Sequence, residues 1–375
     1  MILYGLLAVV TIGLSLLVKN YGSKPAYGYS RQQMLNAMCL ISVFLILFAV
    51  SALRLNVGND YAKYVEFFHL IRCKLDTDTA IVPTEFGFNL ICLAIYFISG
   101  QTENYLLMFA VFAFLTIFLF LKAMYKQADS FGFTFFLFMT LGYYFQTFST
   151  IRYYLALAMA VTAIPYVMRK EWVKFILICL LGATVHKSML IVIPLYFLAQ
   201  LKWKKIGIVL ALAASASFLV FRNFYMAVFL KLYPTYEETE YLEGGTSYIS
   251  IVRCVAVLIL SVALYERVVK NDRKNRFFFM CNIGALILYV CCSFLPVISR
   301  VGYYLTITQI FFIPTLIGGI QNRKIRIAIT VATVIAAVGY FAVFLFVKAP
   351  QDGLRILPYE TFLYHDMVPI LSDVS

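Results

Sequence analysis

Long uninterrupted blocks of apolar residues constrain the fold of this chain more than any other feature of its sequence. A helix needs about 18–20 apolar residues to cross the hydrocarbon core of a bilayer, and several blocks reach or approach that length. Backbone amides in hydrocarbon must find their partners within their own segment, so such blocks form helices. We therefore predict an all-α, polytopic transmembrane protein. The clearest blocks are Leu35–Leu53, Tyr105–Leu121, Ile206–Phe221, Phe277–Phe294 and Ile327–Val347.

The charge pattern supports the same class. Of the 375 residues 63% are hydrophobic and 13% are charged, whereas a soluble domain carries about 25% charged residues. The net charge of +13 would suggest nucleic acid in a soluble protein. Here, however, most basic residues lie in short loops between apolar blocks, as in cytoplasmic loops of membrane proteins, so we expect no nucleic-acid partner. The basic loops are Lys19–Arg31, Lys122–Lys126, Arg169–Lys174, Lys202–Lys205, Arg267–Arg276 and Gln321–Arg326.

Placing these loops in the cytoplasm sets the predicted topology. It gives about 12 crossings with both termini outside. Phe86–Ser99 is too short to cross, so we expect a re-entrant or interfacial helix there. We predict one integral membrane domain, 1–375, with extracytoplasmic segments at 54–85, 222–249 and 348–375.

Two of these outer segments have an informative pattern. The first contains apolar residues at helical spacing, which predicts a short helix lying on the membrane. In the second, the acidic run Glu237–Glu240 is followed by Gly244 and Gly245, which predicts a loop over the outer face. The apolar residues of the first segment are Tyr61, Tyr64, Val65, Phe68 and Ile71.

Charge is almost absent from the interiors of the apolar blocks. The carboxylates lie in loops or at block ends, and among the basic residues only Arg253 lies slightly inside a block. A charge at mid-bilayer costs at least about 2.5–3.5 kcal/mol, and coupled transporters retain such charges for their function. This pattern argues against an ion-coupled pump or antiporter.

Cysteine usage indicates packing. Seven of the eight cysteines lie in apolar blocks, and only Cys73 lies in a polar loop. There is no CxxC spacing and no disulfide framework. No Asp/His cluster has metal-ligand spacing either, so we expect catalysis without a metal or another cofactor.

Cations and hydroxyls recur at the predicted outer ends of the helices. A helix N-terminus carries about half a positive charge and free N–H groups, and an added Arg or Lys makes it a candidate anion site. For any single helix end, the preferred explanation is that the hydroxyl caps the helix and the basic side chain extends to the interface. Arg152 and Lys187 together favour a functional site, and several converging ends could hold a diphosphate. The helix starts are Ser149–Arg152, Lys187–Ser188, Ser250–Arg253 and Ser299–Arg300.

A few titratable and aromatic residues lie near the same face. His186 and Asp60 are both candidates for a general base, with Glu85 as a third, and the sequence leaves the choice open. Tyrosines gather there too, either to stack on sugar rings or as an interfacial aromatic belt. Those singled out for substrate binding are Tyr61, Tyr64 and Tyr303.

Five short motifs stand out along the chain, and they are Arg54 with Gly58–Tyr64, Glu85–Phe88, Arg152–Ala156, His186–Ser188 and Leu357–Tyr359. Together they resemble the motifs of the EpsG family, relatives of the Wzy polysaccharide polymerases. The sequence around Arg152 is similar to an Arg-Gln-x-Leu-Ala motif of that family, with Tyr153 in place of glutamine. The sequence around His186 is similar to its Phe-His-x-Ser motif, with Val185 in place of phenylalanine.

The resemblance implies a GT-C-like enzyme of the bacterial inner membrane. Such a protein joins oligosaccharide repeat units carried on undecaprenyl diphosphate at the extracytoplasmic face, in capsule, exopolysaccharide or O-antigen assembly. Other polysaccharide assembly proteins are expected partners. His186 or Asp60 would take the proton of the acceptor hydroxyl, and Arg152 would stabilise the departing lipid diphosphate. The remaining substrate contacts are Arg54, Tyr61, Tyr64, Glu85, Lys187, Ser188, Arg300 and Tyr303.

Three alternatives stay open. A lipid-linked oligosaccharide flippase would need polar residues through the membrane depth. A ligase or single-sugar transferase would share the active-site chemistry but use another donor or acceptor. A scaffold of an export complex would not need basic residues gathered at one face.

Overall fold

The computed structural model describes residues 1–19, 30–76, 83–201, 205–232, 245, 247–296 and 298–364. The structure is 78% helix, and the described residues contain no strand. The all-α class predicted from the apolar blocks is therefore confirmed. Several predicted features lie wholly or partly outside the described residues: the acidic run Glu237–Glu240, most of the loops Lys19–Arg31 and Lys202–Lys205, and parts of the segments 54–85 and 348–375.

The helices follow one another through the described chain with short connections. A 3₁₀ turn, Lys187–Ile191, precedes α10, and π-helical turns follow α13 and α17. The α-helices are α1 (Ile2–Leu16), α2 (Arg31–Ala52), α3 (Tyr61–Asp76), α4 (Phe86–Ile98), α5 (Tyr105–Gln127), α6 (Phe131–Thr140), α7 (Tyr143–Gln146), α8 (Ile151–Met168), α9 (Trp172–Ala183), α10 (Val192–Gln200), α11 (Lys205–Val220), α12 (Arg222–Leu232), α13 (Tyr248–Ala263), α14 (Arg273–Cys291), α15 (Ile298–Thr306), α16 (Gln309–Gly318) and α17 (Arg323–Val343).

Five helical stretches in the described residues are long and apolar enough to cross a membrane, or up to six if the bent pair α11 and α12 forms one span. The protein is therefore membrane-embedded, but the predicted count of about 12 crossings is not confirmed. Along α17 most apolar side chains are exposed and only Ala337 is fully buried, as expected of a helix that faces lipid. The five stretches are Arg31–Ala52, Tyr105–Gln127, Ile151–Met168, Ile298–Gly318 and Arg323–Lys348.

Shorter apolar helices account for the difference in count. The prediction assigned a crossing to most apolar blocks, but several of these blocks fold into helices of 10–17 residues. At 1.5 Å per residue, the 13 residues of α4 span only about 20 Å. That length suits the predicted re-entrant or interfacial helix, which stays a prediction.

The described chain divides into two compact units. Unit 1 consists of Met1–Ala163, Ile176–Leu190 and Arg323–Ser375, and unit 2 consists of Ile164–Phe175 and Ile191–Asn322. In unit 2, α14 packs against α10, α11, α13, α15 and α16. The predicted outer segment 222–249 begins in this unit as helix α12 rather than as a loop, because apolar residues recur through its first eleven positions.

In unit 1, α3 packs its apolar face inside the protein. Tyr61, Tyr64, Val65, Phe68 and Ile71 are each at most 4% exposed and share a core cluster with residues of α4, α5 and α8. The predicted helix is therefore confirmed. Its apolar face does not face lipid as predicted, because aromatic side chains of α4 and α5 cover it, and its position at the membrane surface stays a prediction.

The C-terminal segment of unit 1 lies along the first loop. Arg54 and Thr361 form an antiparallel bridge, and the Gly58 amide donates to the Arg355 carbonyl at 2.8 Å. The Tyr359 hydroxyl donates to the Val50 carbonyl at 3.0 Å. The Arg54 motif and the Leu357–Tyr359 motif, about 300 residues apart in the sequence, are thus held together at the end of α2.

Candidate active site

One carboxylate joins three separate motifs in unit 1. The Arg152 guanidinium forms an ion pair with Glu85 Oε2, and the Lys187 backbone amide donates to Glu85 Oε1 at 3.1 Å. Glu85 directly precedes α4, Arg152 lies in the first turn of α8, and Lys187 begins the 3₁₀ turn after α9. The structure therefore brings together Glu85, Arg152 and Lys187, three of the predicted site residues.

A glycine makes this junction possible. The Gly87 amide donates to the Thr184 carbonyl at 2.7 Å, which holds the start of α4 against the end of α9. A Cβ at position 87 would lie only 2.8 Å from both that carbonyl oxygen and the Thr184 Cβ. Real side chains do not tolerate so close an approach, so the motif requires glycine at this position for packing.

Aromatic rings enclose the Arg152 guanidinium. Its central carbon lies 5.2 Å from the Phe88 ring centroid and 5.7 Å from those of Tyr64 and Phe67. Cation–π contacts of this kind contribute about 0.5–2 kcal/mol each, the larger values where water is excluded. The Arg152 Nε atom is buried and has no hydrogen-bond partner within the described residues. The side chain as a whole is 15% exposed, so the guanidinium is held from several sides and still has an accessible edge.

The His186 ring is oriented by its own turn. The Ser188 backbone amide donates to His186 Nδ1 at 3.3 Å, and the Ser188 hydroxyl lies 2.7 Å from the same nitrogen. A backbone amide can only donate, so Nδ1 is an acceptor and the neutral ring carries its proton on Nε2. Tyr153 packs edge-on against the ring at 5.6 Å. In this tautomer His186 presents a hydrogen-bond donor at Nε2.

Asp60 lies near the same cluster, at the turn before α3. Burial raises the pKa of Tyr64, the Arg152 cation lowers it, and the Asp60 carboxylate raises it. Tyr64 therefore lies within electrostatic reach of both charged residues. The turn is held by Gly58, whose φ of +111° favours glycine, and by a hydrogen bond from Ser149 to the Asn59 side chain.

Arg54 and Tyr61 lie inside the protein rather than at an open surface. Arg54 is 1% exposed, donates to the Ser51 carbonyl, and lies 5.0 and 5.1 Å from the ring centroids of Phe109 and Phe148. No carboxylate within the described residues pairs with Arg54. Burial lowers the pKa of Arg54, and the neighbouring Tyr61 is first among the groups that raise it. The Tyr61 ring stacks on Phe109 at 4.1 Å.

The remaining predicted residues have different positions. Ser188 belongs to the His186 turn, whereas Arg300 and Tyr303 lie on α15 of unit 2. Nothing in the sequence singles out Phe67 or Phe109, because each is one apolar residue among many, and Phe88 stands out there only as the last residue of the Glu85–Phe88 motif. Their importance follows only from the cations against which their rings are packed.

The comparison with protein families decides the class of the protein. The model of the EpsG family matches residues 37–361, most of the chain. The chain belongs to the EpsG family. EpsG is a Wzy-like, polymerase-type family, so the resemblance predicted from the motifs is confirmed. Every predicted site residue lies within the matched range. Comparison with curated proteins and with solved structures found no match. EpsG membership suggests a membrane polysaccharide polymerase-like role.

Proposed function

We propose that this EpsG protein is a glycosyltransferase that polymerises oligosaccharide repeat units carried on undecaprenyl diphosphate, at the extracytoplasmic face of a bacterial inner membrane. The observation that carries the proposal is the junction at Glu85. It supports one site built from three motifs that lie 67 and 102 residues apart in the sequence. Family membership supports the reaction class, and the proposed products are capsule, exopolysaccharide or O-antigen. The count of about 12 crossings and the GT-C-like architecture belong to the same proposal.

In the proposed reaction, an acceptor sugar hydroxyl attacks the anomeric carbon of the lipid-linked donor. A new C–O bond forms, and the bond from that carbon to the diphosphate oxygen breaks. The lipid diphosphate leaves with the electron pair, and the hydroxyl proton passes to a base. Electrostatic stabilisation of such a leaving group is commonly the largest single term in catalysis.

The geometry supports a division of roles. Arg152, whose side chain is 15% exposed, is proposed to bind the departing diphosphate, and the Lys187 ammonium is proposed to add positive charge to the site. Glu85 is proposed to orient Arg152. The Nε2–H tautomer favours His186 as a hydrogen-bond donor to a substrate oxygen, which leaves Asp60 as the proposed base.

The other predicted residues are proposed either to position the site or to contact substrate. Arg54 and Tyr61 are buried, so we propose that they position the first loop instead of touching the sugar. Tyr64 is proposed to fix Arg152 through its ring. Substrate contacts of Ser188, Arg300 and Tyr303, and an association with other assembly proteins, remain part of the proposal.

Polymer production in a deletion strain tests the function. Arg152→Ala is expected to lower polymer yield by about 10²–10³-fold at equal protein level, by analogy with the loss of other preorganised donors. The matched control is Arg169→Ala, which removes another Arg–Glu pair, the 2.5 Å contact to Glu171, and should leave the polymer unchanged. Wild-type chain lengths with Arg152→Ala would contradict the proposal. Accumulation of the lipid-linked repeat unit only in the cytoplasmic leaflet of the deletion strain would favour a flippase.

A further inference from the structure

A second group of reactive side chains lies on α3, beyond the residues that contact Arg152. His69 and Cys73 are one helical turn apart, and Glu103 lies in the connection before α5. The Cys73 sulfur is 3.4 Å from His69 Nε2. On the other side of the ring, His69 Nδ1 is 3.0 Å from both carboxylate oxygens of Glu103. The Cys73 thiol, the His69 imidazole and the Glu103 carboxylate thus form a continuous chain of contacts, with the imidazole in the middle.

The hydrogen bonds give each member a chemical role. A carboxylate accepts, so Glu103 holds the ring proton of neutral His69 on Nδ1. Nε2 is then the acceptor nitrogen, and it faces the Cys73 sulfur. This is the order of nucleophile, base and orienting group that activates thiols. The roles proposed above for Glu85, Arg152 and His186 do not depend on this arrangement.

An additional cation lies beside the thiol. One terminal nitrogen of Arg72 is 3.6 Å from the Cys73 sulfur, and its Nε is 3.3 Å from Glu103. Negative charge that develops on the sulfur is stabilised by a neighbouring guanidinium and imidazole. The same contacts tie the end of α3 to the connection before α5.

Accessibility distinguishes Cys73 from six of the other seven thiols. Cys73 is half-buried, and the side chains of His69 and Glu103 are 17% and 18% exposed. Six of the other seven cysteines are buried, and the seventh, Cys291, is half-buried on α14. A reagent in solution can therefore reach the Cys73 group without unfolding the protein.

We propose that Cys73, His69 and Glu103 form a thiol–disulfide exchange site. His69 takes the thiol proton as the Cys73 sulfur attacks one sulfur of a disulfide, RSSR. The S–S bond of RSSR breaks, a Cys73–S–S–R bond forms, and RS⁻ leaves and takes the proton from His69 to become RSH. The disulfide is the only co-reactant, and the site is independent of glycosyl transfer.

The test uses the full-length protein and the aromatic disulfide 5,5′-dithiobis(2-nitrobenzoate), with the modified cysteine identified by mass spectrometry. Cys73 is expected to react at least ~10-fold faster than Cys291 in the same sample. His69→Gln and Glu103→Gln are expected to slow the reaction at Cys73 by at least ~10-fold, because general-base assistance contributes about 10²–10⁴-fold. The rate at Cys291 should not change.

Glu66→Gln is the matched control, because it removes a carboxylate from α3 that makes no side-chain hydrogen bond or ion pair with the described residues. It should leave the Cys73 rate unchanged. A variant that unfolds would expose Cys291, whose rate would rise, and such a variant is replaced by His69→Asn. Equal rates at Cys73 in the wild type and His69→Gln, with Cys291 constant, would overturn the proposal. Modification of Cys291 before Cys73 in the wild type would overturn it as well.

Discussion

The Glu85 carboxylate holds Arg152 with one oxygen and the backbone of Lys187 with the other. A single side chain thereby sets both the direction of the cation and the position of the turn that carries His186. The Arg152 side chain stays 15% exposed in this ion pair, so part of the guanidinium is accessible. We therefore propose separate roles for the two groups, with the carboxylate orienting the cation and the cation binding the diphosphate.

Glu85→Gln tests the orienting role. The substitution keeps the size and one acceptor for the Lys187 amide but removes the charge that pairs with Arg152. Because misplacing a catalytic group by about 1 Å costs up to about 10²-fold, we expect polymer yield to fall by about that factor or less. Glu171→Gln, which neutralises the carboxylate of the Arg169 pair, is the control. An unchanged polymer yield with Glu85→Gln would show that the charge of this carboxylate has no role in the reaction.

Two substitutions of His186 distinguish the contributions of its two ring nitrogens. The asparagine side chain places an acceptor where Nδ1 lies, so His186→Asn should keep the turn but lose the Nε2 donor. The glutamine amide reaches the Nε2 position, so His186→Gln should retain more activity if that donor contacts substrate. We expect Gln to exceed Asn in polymer yield at equal protein level. The opposite order would show that His186 acts mainly through the turn.

At the scale of elements, five apolar residues at helical spacing between Tyr61 and Ile71 were enough to predict helix α3. The pattern did not identify the surface against which the helix packs, since that depends on contacts with α4 and α5 far along the chain. The motifs at Glu85, Arg152 and His186 could each be selected as candidates, and the convergence of Arg152 and Lys187 could be predicted. The contacts that Glu85 makes to both could not, because contacts across 67 and 102 residues leave no local sequence signal.

Gly87→Ala tests the contact between α4 and the end of α9. The added methyl group would overlap the Thr184 side chain and carbonyl, and overpacking of this kind typically costs about 1–3 kcal/mol. We expect a lower Tm in detergent and reduced polymer yield. Gly339→Ala on α17 is the control, because nothing lies within 4 Å of its added carbon. Equal melting temperatures for the two variants would contradict the close packing at Gly87.

At the scale of the whole molecule, the predicted membrane class is confirmed and the number of crossings is not. The reason lies in the lengths of the helices. Hydropathy finds apolar blocks well, but a block such as Phe131–Thr140 becomes a helix of 10 residues, which at 1.5 Å per residue covers about 15 Å. Basic loops predict orientation independently of that count, so the orientation can be tested by itself.

Cysteine labelling tests the proposed face. Lys63→Cys, at an exposed position of α3, is expected to react with a membrane-impermeant maleimide on intact spheroplasts. Lys170→Cys, exposed in one of the basic loops, should react only after permeabilisation. The unmodified chain gives the background from native thiols. Labelling in the reverse order would invert the topology and place the candidate site in the cytoplasm.

Reconstitution with purified components tests the proposed glycosyl transfer itself. The purified protein is placed in liposomes with the lipid-diphosphate-linked repeat unit from its deletion strain as the sole substrate, and polymer and free lipid diphosphate are quantified. We expect the wild type and Arg169→Ala to form both products, with one lipid diphosphate released per new glycosidic bond. We expect Arg152→Ala to be slower by about 10²–10³-fold. No polymer from the wild type, or equal rates for the two arginine variants, would show that the proposed function is wrong.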